Sequence, residues 1–152
     1  MLRPLEMAHQ FLAEVITKED VVVDATMGNG HDTVFLAKLA GQVYAFDIQE
    51  QALANTQEKL DKLGLQHVQL ILDGHQHVDQ YVETLKAAIF NLGYLPSADK
   101  SVITLPATTI EAMEKICDCL QKGGRMAIMI YYGHEGGDIE RDAVLDLSLI
   151  HI

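Results

Sequence analysis

Two carboxylates and two glycines are the residues of this chain best placed to do chemistry. Asp24-Ala25-Thr26-Met27-Gly28-Asn29-Gly30 follows the apolar run Val21-Val22-Val23. Asp47 closes the next apolar run, Val43-Tyr44-Ala45-Phe46, 23 residues beyond Asp24. An acid ending one strand, two glycines and an acid ending the next strand suit a nucleoside held by an α/β fold. The glycines let backbone pass close to the ligand, and the second carboxylate can accept two hydrogen bonds from a ribose diol.

The spacing narrows the ligand. A dinucleotide site wants a third glycine at position 33 for close helix–strand packing, and Thr33 stands there. The pattern D-x-x-x-G-x-G is instead that of enzymes using S-adenosyl-L-methionine (SAM), which carries no pyrophosphate. Asp47 would hold the ribose, with Ile48 or Gln49 beside the adenine; alternatively Asp47 caps the helix that follows. Asp73-Gly74-His75 after the third strand would meet the adenine edge, or form a plain turn. His75 and His77 have no third ligand at a recognisable spacing, so a metal site is not expected.

Further polar residues fall at later strand ends. Asn91-Leu92-Gly93-Tyr94-Leu95-Pro96 ends the fourth strand, and an Asn91 amide there can accept a hydrogen bond from a substrate amine while Tyr94 stacks on a base. The bland reading is a turn with Tyr94 in the core. Tyr131-Tyr132-Gly133-His134 follows the fifth strand and would close over substrate or be a solvated loop. Arg3 and Lys100 could touch phosphates, although single surface cations are usually only solvated.

These residues need elements to position them. Leu5, Ala8, Leu12, Val15 and Ile16 recur at helical spacing, so a helix is expected over 5–17. Strands are expected at 21–25, 42–47, 67–72, 87–91 and 125–131. Helices are expected from about 31, over 50–63 with Gly64 as its stop, near 76–84, and over 138–147. Thr108-Thr109-Ile110-Glu111 reads as a capping box opening another helix, which Gly123-Gly124 would end. Short apolar strands alternating with helices imply a mostly parallel sheet covered on both faces. Right-handed crossovers then bring every strand's carboxyl end to one edge, so Asp24, Asp47, Asp73, Asn91 and Tyr131 converge there.

Composition sets bounds. A length of 152 residues suggests one domain. No apolar run approaches the ~20 residues of a membrane helix, and the first residues lack the pattern of a signal peptide. Cys117 and Cys119 sit two apart on an expected helix and do not face each other, which fits a reducing cytoplasm. The net charge of −11 argues against nucleic acid unless the 11 Lys and Arg cluster on one face.

The blocks at 24–33, 90–96 and 131–134 together resemble a small bacterial family first labelled rRNA methylases, whose characterised members are tRNA 5-(aminomethyl)-2-thiouridine methyltransferases. The resemblance runs to about residue 146. It implies a Rossmann-like class I fold, SAM as cofactor, and methyl transfer to the aminomethyl nitrogen of a tRNA wobble uridine. By position it implies Asn29, Gly30, Asp32, Asp47, Gln49 and His75 in the cofactor pocket, and Asn91 and Tyr94 at the active strand end. Asp24, Met27, Gly28, Ile48, Asp73 and Gly74 complete the expected cofactor set; Arg3, Tyr94, Tyr131, Tyr132 and His134 form the expected substrate set. Such a sheet has seven strands and five are counted, so 1–152 reads as one C-terminally truncated domain with its last strands missing and a few foreign residues at its end. Rival readings are a methyltransferase for another RNA or a small molecule, an inactive SAM-binding fragment, and a nicotinamide-dependent oxidoreductase. Expected partners are tRNA and no membrane, with a homodimer left open.

Overall fold

The computed structural model describes residues 3–96, 105–133 and 144–151; the side chains of 94–96, 132–133, 144–148 and 151 lie outside that description. Alternation along each strand sorts its residues between two cores. On one face Val22, Val43, Ala87, Ile89, Ala127 and Met129 pack with Ala8 and Leu12 of α1 (Pro4–Ala13) and Leu36 and Ala37 of α2 (His31–Leu39). On the other face Val23, Ala88, Phe90, Met126 and Ile128 pack with Ala112 and Ile116 of α4 (Ala107–Cys119). α3 (Glu50–Leu63) ends at Gly64, whose φ of 70° is the left-handed stop expected there.

The strands are β1 (Val21–Asp24), β2 (Gln42–Asp47), β3 (Val68–Leu72), β4 (Leu85–Pro96), β5 (Leu120–Gly133) and β6 (Val144–His151). They form one sheet in the order β3-β2-β1-β4-β5-β6. The first five are parallel, and β6 runs antiparallel to β5. The chain order reverses direction between β1 and β4, so the crevice of the sheet opens at their carboxyl ends.

Several expected boundaries move. The first helix stops at Ala13, and the segment near 76–84 is a 3₁₀ helix over His75–Gln80. Thr108–Glu111 forms no side-chain cap: Pro106 is the cap residue and its carbonyl takes the amides of Thr109 and Ile110. That helix also ends at Cys119, four residues before the Gly123-Gly124 pair. The closing helix expected over 138–147 is not found where it overlaps the described residues, because 144–151 are β6. Leu145, Leu147 and Leu149 alternate with Asp146 and Ser148, a strand period, and Leu147 and Leu149 stand opposite Met129 and Ala127. The acidic composition suggested a helix; the alternation decides. The sheet thus has six strands among the described residues, where five were expected.

The glycine loop depends on a conformation that other residues resist. Gly30 caps α2 with φ of 88°, and a Cβ on it would lie 2.7 Å from Thr56 Oγ1. Gly64 shares the left-handed backbone but faces open space. In urea unfolding, Gly64→Ala is expected to cost about 1–2 kcal/mol, the left-handed penalty alone. Gly30→Ala should cost roughly 1 kcal/mol more, because the collision with Thr56 adds to the same backbone strain. Equal losses would show that Thr56 does not crowd the loop.

Candidate active site at the carboxyl edge of the sheet

The expected residues separate into a cavity and a buried polar network behind it. The cavity measures about 420 Å³. Asp47 and Ile48 line it from the end of β2, with Phe46 below them; Asp73, Gly74 and His75 line it from the end of β3, and Thr108 and Thr109 from α4. Ile48 is 75% exposed, an apolar side chain left at the mouth of the cavity.

Asp47 ties the two loops together. One carboxylate oxygen accepts the amide of Gly28 at 3.0 Å and the other accepts the amide of Gln49 at 2.9 Å. Each oxygen keeps a further lone pair, so the half-buried carboxylate can still accept two hydroxyls. A vicinal diol beside a flat apolar group matches what Asp47, Ile48 and Phe46 offer.

His75 fastens the far wall. Its Nδ1 donates to the carbonyl of Ala25 at 2.9 Å, which leaves Nε2 to accept the Thr109 hydroxyl at 3.0 Å. Asp73 is bound at 2.7 Å by His77 and at 2.8 Å by the Tyr81 hydroxyl. Those hydrogen bonds, His77 first, hold its carboxyl below the ordinary range. Among the described residues no cluster could hold a metal; the two histidines point to different partners.

Behind the cavity lies the polar network. Asp24 is fully buried, accepting the Thr33 hydroxyl at 2.6 Å and the Thr26 amide at 3.0 Å. Burial, then the charge of nearby Asp32, pushes its pKa up to about 7. Asp32, 4% exposed, accepts His9 Nε2 at 2.7 Å and the Asn91 side-chain amide at 3.3 Å. The Asn91 backbone amide donates to Thr26 Oγ1 at 2.7 Å, binding β4 to the loop after β1; the strand does not end at Asn91 as expected but pairs with β5 as far as Pro96.

The cavity therefore gathers Asp47, Ile48, Asp73, Gly74 and His75 of the expected cofactor set. Asp24, Met27 and Asp32 are buried away from it. Gly28 reaches it through its bond to Asp47. Gln49 is exposed and does not line it. Asn29 turns outward, its carbonyl held by Lys59 and its side chain by Asn55. Arg3 is exposed just ahead of α1, and Tyr131 is half-buried on β5. The side chains of Tyr94 and Tyr132, and the whole of His134 and Lys100, lie outside the described residues. Sequence reasoning missed His9, Thr26, Thr33 and Thr109. The first three join the buried network, and Thr26 and Thr33 stood inside the glycine block itself. His9 carried no local signal, because only the fold brings α1 against α2.

A mostly parallel sheet in this order, covered by helices on both faces and ending in an acid-and-glycine loop, is the fold of class I SAM-dependent methyltransferases. Within that class the chain belongs to the family described as "Putative rRNA methylase", which it matches over residues 43–149. It is 61% identical to a methyltransferase of Streptococcus mutans solved with S-adenosylhomocysteine (TM-score 0.79, 87% of this chain and 74% of that one). It is 57% identical to an rRNA methylase of Streptococcus thermophilus (TM-score 0.77, 86% and 73%). It is also 38% identical to the chloroplastic tRNA (mnm(5)s(2)U34)-methyltransferase of Arabidopsis thaliana, aligning 91% of this chain but spanning only 56% of that relative. No helix among the described residues is long and apolar enough to cross a membrane.

The buried carboxyl makes stability depend on pH. The folded pKa of about 7 lies above the ordinary 3.8, so the folded state holds a proton the unfolded chain has released. This contribution is complete below about pH 4 and lost as pH rises through 7. Asp24→Asn lacks it. From pH 4.5 to 7.5 the melting temperature of the native chain should fall by roughly 5 °C relative to Asp24→Asn; parallel profiles would contradict the assignment.

Proposed function

We propose that this site binds SAM and that the chain methylates the aminomethyl nitrogen of 5-(aminomethyl)-2-thiouridine at the tRNA wobble position. The observation that carries the cofactor assignment is Asp47. Its carboxylate joins the glycine loop to the end of β2 and keeps acceptor capacity toward the cavity. Phe46, Ile48, Gly74 and His75 suit an adenine beside a ribose on Asp47. Bound SAM would supply a methyl group already activated on a sulfonium. The family match and the plant relative's name support the RNA substrate.

The chain's own work is then positioning and exclusion of water. An alkylamine has a free pKa of about 10 and reacts only when neutral; burial beside a cation favours its neutral form. Asn91 presents its NH₂ to Asp32, so its Oδ1 is the atom left to accept an amine N–H and aim the nitrogen lone pair. It orients the amine and takes no proton. The acidic charge favours one second reading, a smaller acceptor than tRNA.

Calorimetry with SAM and transfer from labelled SAM to tRNA bearing the aminomethyl group test both parts. Asp47→Asn should weaken SAM binding by about 10–100-fold, one to two charge-assisted hydrogen bonds. Asn91→Ala should leave SAM affinity unchanged and slow turnover by about 10-fold or more. Unaltered SAM affinity in Asp47→Asn would remove the cofactor assignment, and full turnover in Asn91→Ala would remove the role given to that amide.

A further inference from the structure

We propose that His9 is a positioning residue for methyl transfer, acting through Asp32 to hold the Asn91 amide in its working orientation; this rests on the functional reading above. The three side chains form a chain of contacts from α1 through α2 to β4. His9 Nε2 lies 2.7 Å from one oxygen of Asp32, and the Asn91 NH₂ lies 3.3 Å from the other. A carboxylate only accepts, so both neighbours must present N–H to it. That requirement fixes the Asn91 flip: the nitrogen faces Asp32, and Oδ1 is released for an incoming donor. Without the His9 bond, Asp32 would be a nearly buried carboxylate with one weaker partner, free to turn. The Asn91 amide would then lose the anchor that sets which of its two ends faces substrate.

The histidine is itself held in place. Its ring lies parallel on Phe35, centroids 3.8 Å apart at 5°, and its side chain is 18% exposed. Packing and hydrogen bonding can therefore be separated by substitution. His9→Phe keeps a flat ring for Phe35 but offers Asp32 no donor. His9→Gln loses the stacked ring but carries an N–H where Nε2 stood.

Two readouts decide the matter. The chain's asparagines are Asn29, Asn55 and Asn91, so the Asn91 NH₂ resonances of ¹⁵N-asparagine-labelled protein are assigned by their loss in Asn91→Ala. His9→Phe should shift those resonances and lower kcat by on the order of 10–100-fold at unchanged SAM affinity, with a lower melting temperature because Asp32 loses its shorter bond. His9→Gln should retain the native resonances and turnover within about 3-fold, despite a lower melting temperature. Native resonances in His9→Phe, native kcat in His9→Phe, or a His9→Gln as slow as His9→Phe would each overturn the proposal. A native chain that transfers no methyl to the aminomethyl tRNA would overturn the functional reading instead. In that event the resonances still decide whether His9 fixes Asn91.

Discussion

The burial of one carboxyl group at the end of β1 governs the geometry of everything around it. Among the described residues Asp24 forms no ion pair. It is satisfied by a hydroxyl from α2 and an amide from its own loop, and such a group is costly to bury unless those bonds are kept. Keeping them forces α2 to start where Thr33 can reach back over the strand. The glycine loop must then turn tightly in between, with Gly30 in a backbone region where a side chain would strike Thr56. Loop, helix and strand end form one unit because a single carboxyl needs all three.

From that unit, bonds lead outward in two directions. Gly28 passes to Asp47 and so to β2, while Thr26 passes to the backbone of Asn91 and so to β4. The cavity lies on the β2 and β3 side of this unit, lined by Ala25 and Thr26 after β1 and by the ends of β2 and β3. His75 closes the outer wall by linking the backbone after β1 to α4. Lys115 adds bonds from α4 to the Gln76 carbonyl and to Asp79. The cavity is therefore assembled from contacts between distant segments, and no single element carries it.

Much of this was legible in the chain. The apolar runs at 21–23 and 43–46 and the strand expected over 67–72, broken by acids and glycines, announced parallel strands and their carboxyl edge. Glu50–Leu63 and its Gly64 stop were readable to the residue, since amphipathic spacing and a left-handed cap agree. Failure came where two local signals conflicted, as in 144–147, where composition pointed to a helix and alternation to a strand. It came also where a role depends on long-range partners. The surroundings of Asn29 in the glycine block are set by Lys59 and Asn55, which only the fold brings to it. His9 meets Asp32 only because the sheet carries α1 and α2 on one face.

The placement of α1 has a practical side. Arg125, at the opposite rim of the sheet, grips the carboxyl end of this helix through the Phe11 carbonyl and Glu14, with its guanidinium 4.5 Å above the Phe11 ring. The helix thus packs against β5 and β6 and helps to shield Ile89, Ala127 and Met129 from water. Amino-terminal trimming, often harmless in proteins whose first residues dangle, would here strip a cover from greasy strands and leave the shortened protein prone to clumping.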